Sequence, residues 1–295
     1  MNLSDNVKHI EFGSLNSLKN EIFYGGYFAA LGSPSLIIST SIILNIALNL
    51  PILVIAYLLP LIVYSYDYYK DIEKDITTKS ERAIYLKKKV DRYPLIFGFY
   101  IMLLGSLLIL FANYSLILFI LAIILGGILY NVKLKEFTKK IPAFKNIYTT
   151  LTWASGGAFF LPLYCSISIN ISFIIVFLII YFRCLINVLF FDLKDIENDK
   201  KEELKTLPVL LGKKCTLISL YILNILSFIP LILGVYLKLI PTFVIILVGF
   251  VAYGFYYIRK AETATNRELE TVSHTLADLE FVLWPIILIM AKFLI

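Results

Sequence analysis

Phe191-Asp192-Leu193-Lys194-Asp195-Ile196-Glu197-Asn198-Asp199 closes an apolar run that begins near residue 168. A second tract of the same kind, Ser65-Tyr66-Asp67-Tyr68-Tyr69-Lys70-Asp71-Ile72-Glu73-Lys74-Asp75, closes another such run. Both contain Lys-Asp-Ile-Glu-x-Asp, so one acidic device is used twice in apolar surroundings. On a helix turning about 100° per residue, Asp67, Asp71 and Asp75 keep to one face, as do Asp192, Asp195 and Asp199. Carboxylates one turn apart repel, so each stripe calls for a cation. Facing rows of hard oxygen ligands suit Mg²⁺, which keeps waters and shares itself with phosphate oxygens. The six aspartates are therefore the expected metal ligands of a diphosphate site, with Asp71, Asp75, Asp195 and Asp199 as its catalytic core.

Working outward, the composition is that of a membrane protein. Hydrophobic residues make up 59% of the 295 residues, charged ones 16%, and the mean hydropathy is +0.83. Apolar runs of the roughly 20 residues needed to cross a hydrocarbon core occur at about 20–44, 51–71, 94–112, 115–132, 142–164, 168–192, 215–237, 240–258 and 277–295. The expectation is an all-α, polytopic bundle of about nine transmembrane helices forming one domain over residues 1–295. Residues 1–20 are polar and lack a signal-peptide pattern; an interfacial helix or a frayed terminus is expected there.

If the spans alternate, one side receives Lys8, Lys19 and the loops 70–92, 133–145, 194–214 and 259–267, while the other receives only Lys238 and Lys292. This bias predicts a cytoplasmic amino terminus, with both aspartate clusters on the cytoplasmic face. The net charge of +6 is then a topology and headgroup signal, and no nucleic-acid partner is expected.

Asp192 to Gly212, which ends in Lys205-Thr206-Leu207-Pro208-Val209-Leu210-Leu211-Gly212, resembles the second aspartate motif of the UbiA superfamily of intramembrane prenyltransferases. Asp67 to Asp75 resembles the first, whose pattern is Asn-Asp-x-x-Asp-x-x-x-Asp; here Asp67 stands for the Asn and Tyr68 for the next Asp. Asn198 and Glu203 stand where the family usually carries glycine. The resemblance implies Mg²⁺-dependent transfer of a polyprenyl group from an allylic diphosphate to a lipophilic or aromatic acceptor that the sequence does not identify. An alternative within the superfamily is cyclisation of the polyprenyl diphosphate. A cation transporter, the reading from another class, would favour acidic residues near mid-membrane over helix ends.

Ionising an allylic diphosphate needs a stabilised leaving group and a dry pocket for the carbocation. Arg82, Lys135, Lys145, Lys194 and Lys205 are candidates to bind phosphate oxygens. In the family a Tyr and a basic stretch follow the fourth span, and Tyr130-Asn131-Val132-Lys133-Leu134-Lys135 resembles that feature. Arg183 lies within a span, where an unpaired guanidinium costs about 2.5–3.5 kcal/mol, so it is expected to line the cavity beside Asn187, which stands where the family carries Arg. Tyr68, Tyr66, Phe28, Trp153, Tyr181, Phe190 and Phe191 could offer ring faces to a cation. Cys165, Cys184 and Cys215 read as small hydrophobes, and His9 and His274 as surface residues.

Overall fold

The computed structural model describes residues 20–77, 81–130 and 135–294; the side chains of Asp71, Lys74, Asp75, Thr77, Glu81 and Lys135 lie outside that description. Among the described residues the chain is helical and holds no strand. The expected first span is interrupted, because Gly26 takes φ 79, a left-handed conformation that glycine alone adopts without cost. A turn at Tyr27–Ala30 then leads into α1 (Gly32–Leu44). The chain continues through α2 (Leu50–Thr77), α3 (Tyr93–Phe111), α4 (Tyr114–Leu129), α5 (Phe144–Cys165) and α6 (Ile171–Asp192). It closes with α7 (Leu207–Leu226, resumed at Ile229–Tyr236), α8 (Phe250–Thr263, after a tight stretch at Thr242–Gly249) and α9 (Asp278–Leu294).

Helix α1 runs through the middle of the bundle and packs against α2, α5, α6 and α9. Lipid chains are as apolar as leucine, so helices associate in a membrane by close packing rather than by the hydrophobic effect. The buried Ser35, Ser39, Thr40 and Ser41 give α1 the small surface this requires. Opposite them, Thr40 Oγ1 donates to the Gly157 carbonyl at 2.8 Å. A Cβ on Gly157 would come within 3.1 Å of Leu36 and 3.0 Å of Ile180, so α1, α5 and α6 meet where a side chain is missing.

Six stretches among the described residues are long and apolar enough to cross a membrane: Tyr27–Leu44, Leu50–Lys70, Val90–Phe111, Ile171–Asp192, Leu207–Tyr236 and Thr242–Thr263. Tyr114–Leu129 is a shorter apolar helix, while α5 and α9 match further expected spans and carry more polar residues, so the count of about nine is approximate. Leu95, Ile109, Leu110 and Tyr236 on the outer surface are each at least 70% exposed, a distribution that water would penalise and lipid accepts. The protein is an integral membrane protein.

Candidate functional site: an acidic cavity at the helix ends

The second acidic tract is not one helical stripe. Helix α6 stops at Asp192, a turn follows, and Asp195 immediately precedes the short helix Ile196–Lys201, so the three aspartates are placed by a broken backbone. Side chains from α5 hold this corner together. Asn146, fully buried, donates to Asp192 Oδ2 at 2.7 Å and accepts from the Leu207 backbone N–H at 2.9 Å. Lys145 donates to Asp192 Oδ1 at 2.9 Å and to Asp199 Oδ2 at 3.3 Å, and Thr206 Oγ1 adds a bond to Asp199 at 3.2 Å.

The backbone of the Lys205–Gly212 motif explains its residue types. Lys205 is exposed and contributes through its main chain, which bonds Thr138 and Ala143; its side chain is outside the cavity where phosphate binding was expected. Gly212 takes φ 73 at the kink in α7, a conformation unfavourable for any residue with a Cβ.

These elements enclose a cavity of about 350 Å³. Asp192, Asp195 and Lys194 form one side of its polar end, Asp67, Tyr68 and Arg82 another, and Lys145 and Tyr130 complete it. Lys194 donates to Asp195 at 2.8 Å. Burial alone would raise the Asp195 carboxyl, but Lys194, Lys145 and Arg82 hold it below the usual range. Asp199 is pushed up to about 6 by burial, with Lys145 opposing and Asp192 and Asp195 adding to the rise; it does not line the cavity. The Arg82 guanidinium sits 4.2 Å from the Tyr68 ring centre, and Tyr68 stacks on Tyr64. Tyr130 stacks on Tyr148 with ring centres 5.3 Å apart. Asp71 and Asp75 lie further along α2, with side chains outside the described residues, as is the side chain of Lys135.

Deeper in the membrane the walls become apolar and aromatic, with Val63, Tyr64, Trp153, Val188 and Phe281. Of the aromatics expected there, Tyr68, Trp153 and Phe191 are present, whereas Phe190 packs on Tyr257 in the core, and Tyr66, Tyr181 and Phe28 also face elsewhere.

Two further expectations are corrected. Arg183 does not line the cavity. It is 1% exposed and makes a two-point ion pair with Glu280, at 2.7 Å from Nε and 2.6 Å from Nη2, with Nη1 also bonding Asn224 and Ser227. A guanidinium at that depth is tolerated because every donor group has a partner. His274 is no surface residue either. It is 7% exposed, lies against Phe191 edge to face and lines the cavity beside Asp278 and Asn187. Burial, with Arg82 and Lys194 nearby, holds it well below the usual histidine range and hence neutral. Nothing in the local sequence pattern announced Asn146 or Asp278 as site residues.

The donor set fits Mg²⁺ under one condition. Asp67, Asp192 and Asp195 offer hard oxygens around one cavity, but among the described residues no three acidic, histidine or cysteine groups gather closely enough to hold a metal alone. Phosphate oxygens and water would complete the coordination shell around these three aspartates, as Mg²⁺ favours.

A helical intramembrane bundle with an aspartate-lined cavity at its helix ends defines the class. The family model for UbiA prenyltransferases matches residues 24–277, and the chain belongs to that family. It is 32% identical over 133 residues to digeranylgeranylglyceryl phosphate synthase of Methanosphaera stadtmanae; that match covers 39% of this chain and 46% of the relative, so it spans about half of the relative's length. Its fold is similar to that of a UbiA homologue from Aeropyrum pernix K1 (TM-score 0.63, 12% identity, 90% of this chain and 97% of that one). It is also similar to a UbiA homologue from Archaeoglobus fulgidus bound to DMAPP and Mg²⁺ (TM-score 0.62, 16% identity, 94% and 100%).

Proposed function

We propose that this protein is an Mg²⁺-dependent intramembrane prenyltransferase that moves a polyprenyl group from an allylic diphosphate to a lipophilic or aromatic acceptor. The carrying observation is one cavity with Asp67, Asp192, Asp195, Arg82, Lys145 and Lys194 at its polar end and Tyr64, Trp153 and Phe281 deeper in. Such a gradient fits a substrate with an anionic head and an isoprenoid tail. The Archaeoglobus homologue, bound to DMAPP and Mg²⁺, supports that choice of donor and metal.

Bound Mg²⁺ supplies positive charge that stabilises the leaving diphosphate. Asp67, Asp192 and Asp195 would hold the metal, and the repeated acidic motif assigns Asp71 and Asp75 to the same task. Lys145, Lys194 and Arg82 donate charge-assisted hydrogen bonds to phosphate oxygens and fix the head. The aromatic walls exclude water from the allylic cation and offer it ring faces. The Lys and Arg bias of the loops supports a cytoplasmic polar end and a cytoplasmic amino terminus.

The test uses the purified chain in lipid nanodiscs, with dimethylallyl, geranyl and longer diphosphates against a panel of alcohol, glycerol phosphate and phenolic acceptors. Diphosphate release that depends on both Mg²⁺ and an acceptor is expected. Full turnover in excess EDTA would refute the metal assignment, and a cyclised product without acceptor would identify a cyclase instead.

A further inference from the structure

One part of the cavity has no role in the diphosphate binding proposed above. Asp278, the first residue of α9, lines it together with Asn187 of α6 and His274 of the single wide turn Ser273–Ala277. Asn187 donates to Asp278 Oδ1 at 3.4 Å, and Asp278 Oδ2 has no hydrogen-bond partner among the described residues. His274 Nε2 is likewise buried without one. Glu280, two residues along the same helix, shows the contrast, since Arg183 engages both its oxygens. Buried polar groups are nearly always satisfied by protein or water, so a carboxylate oxygen left without a protein partner beside a cavity points to a ligand or water bound there.

The level of this group in the bundle indicates what binds. Asn187 precedes Asp192 by five residues on α6, which is about 7.5 Å of helix toward the membrane interior. With the diphosphate at Asp192 and Asp195, the carbon bonded to it lies on that inner side, level with Asn187 and Asp278. A carboxylate there can accept a hydrogen bond only from a donor, and an acceptor carrying a free hydroxyl provides one.

We propose that Asp278 is a catalytic residue for acceptor activation, taking the proton of a hydroxyl-bearing acceptor, while Asn187 positions the carboxylate and His274 hydrogen-bonds the acceptor. This rests on the prenyltransferase reading above. In the step, the carbon–oxygen bond of the allylic diphosphate breaks and diphosphate leaves with the electron pair. The acceptor oxygen forms a new bond to that carbon, and its proton passes to Asp278. The product is an ether.

The experiment uses the full chain in nanodiscs with Mg²⁺, geranyl diphosphate and either 1-O-hexadecylglycerol phosphate or 4-hydroxybenzoate, and measures ether and ring-carbon products separately from equilibrium binding of the donor. Asp278→Asn is expected to lower kcat for ether formation by about 10²-fold or more while donor binding stays within about threefold, in the range of a lost general base. It should also remove the acidic limb of the kcat/KM pH profile, with Asp278→Glu recovering part of the rate. His274→Gln should raise KM for the acceptor more than it lowers kcat. Wild-type turnover by Asp278→Asn would overturn the proposal, as would loss of donor binding in step with rate in both Asp278 variants. A wild-type enzyme that prenylates only ring carbon would overturn it and leave the prenyltransferase reading intact. No turnover with any donor and acceptor would overturn both.

Discussion

Arg183 with Glu280, and Lys145 with Asp192 and Asp199, are both charge clusters inside the helix bundle, and they differ in what remains around them. The first is closed: Asn224, Ser227 and the Phe228 ring surround the guanidinium, and its ion pair is no more than 3% exposed. The second is open on one side, with Lys145 a quarter exposed and the neighbouring Asp195 about a third exposed toward the same cavity. A closed cluster joins α6, α7 and α9; an open one retains oxygens and ammonium groups for a ligand. Depth in the membrane alone does not separate a structural charge from a functional one.

The largest test of this contrast is Arg183→Met. It strands Glu280 as an unpaired buried charge and should destabilise the protein by about 3–5 kcal/mol in detergent unfolding, whereas Arg183→Met with Glu280→Leu should recover most of the loss. A double variant no more stable than the single one would contradict the closed-cluster assignment. On the open side, Asp195→Asn should leave the unfolding midpoint nearly unchanged and cut turnover by 10²-fold or more, about 2.7 kcal/mol. A stability loss matching the activity loss would make it a structural residue too.

Asn146→Ala lies between the two cases. It removes the donor to Asp192 and the acceptor for Leu207 N–H, so about 1–3 kcal/mol of stability should go, together with activity. The smallest effect is expected for Asp67→Asn, since the amide still presents an oxygen to a metal that retains its other ligands. Turnover within about tenfold of wild type, measured at saturating Mg²⁺, is the expected result. If Asp67 proved indispensable and Asp195 replaceable, the alignment of the two acidic tracts would be wrong.

The sequence made visible what depends on local pattern: apolar run lengths, the repeated Lys-Asp-Ile-Glu-x-Asp core and the Lys205–Gly212 signature. It hid what depends on meeting across the bundle. Arg183 finds Glu280 at a separation of 97 residues, and no periodicity within α6 could turn its side chain away from the cavity. Helical spacing also implied a continuous stripe from Asp192 to Asp199, whereas the backbone breaks after Asp192 because the tract is held by Lys145, Asn146 and Thr206 from other segments. His274 and Asp278 reach the same cavity by way of a wide helical turn whose sequence, Ser-His-Thr-Leu-Ala, carries no distinctive signal.

Helix α5 has a metrical consequence. Lys145 and Trp153 both line the cavity from this one helix, eight residues or roughly 12 Å apart, and Pro162 lies beyond that interval. The helix is thus a fixed ruler between the carboxylate end and the first aromatic wall of the tail region. Under the proposed function, a prenyl chain of any length past Trp153 would have its leading carbon registered from the same origin.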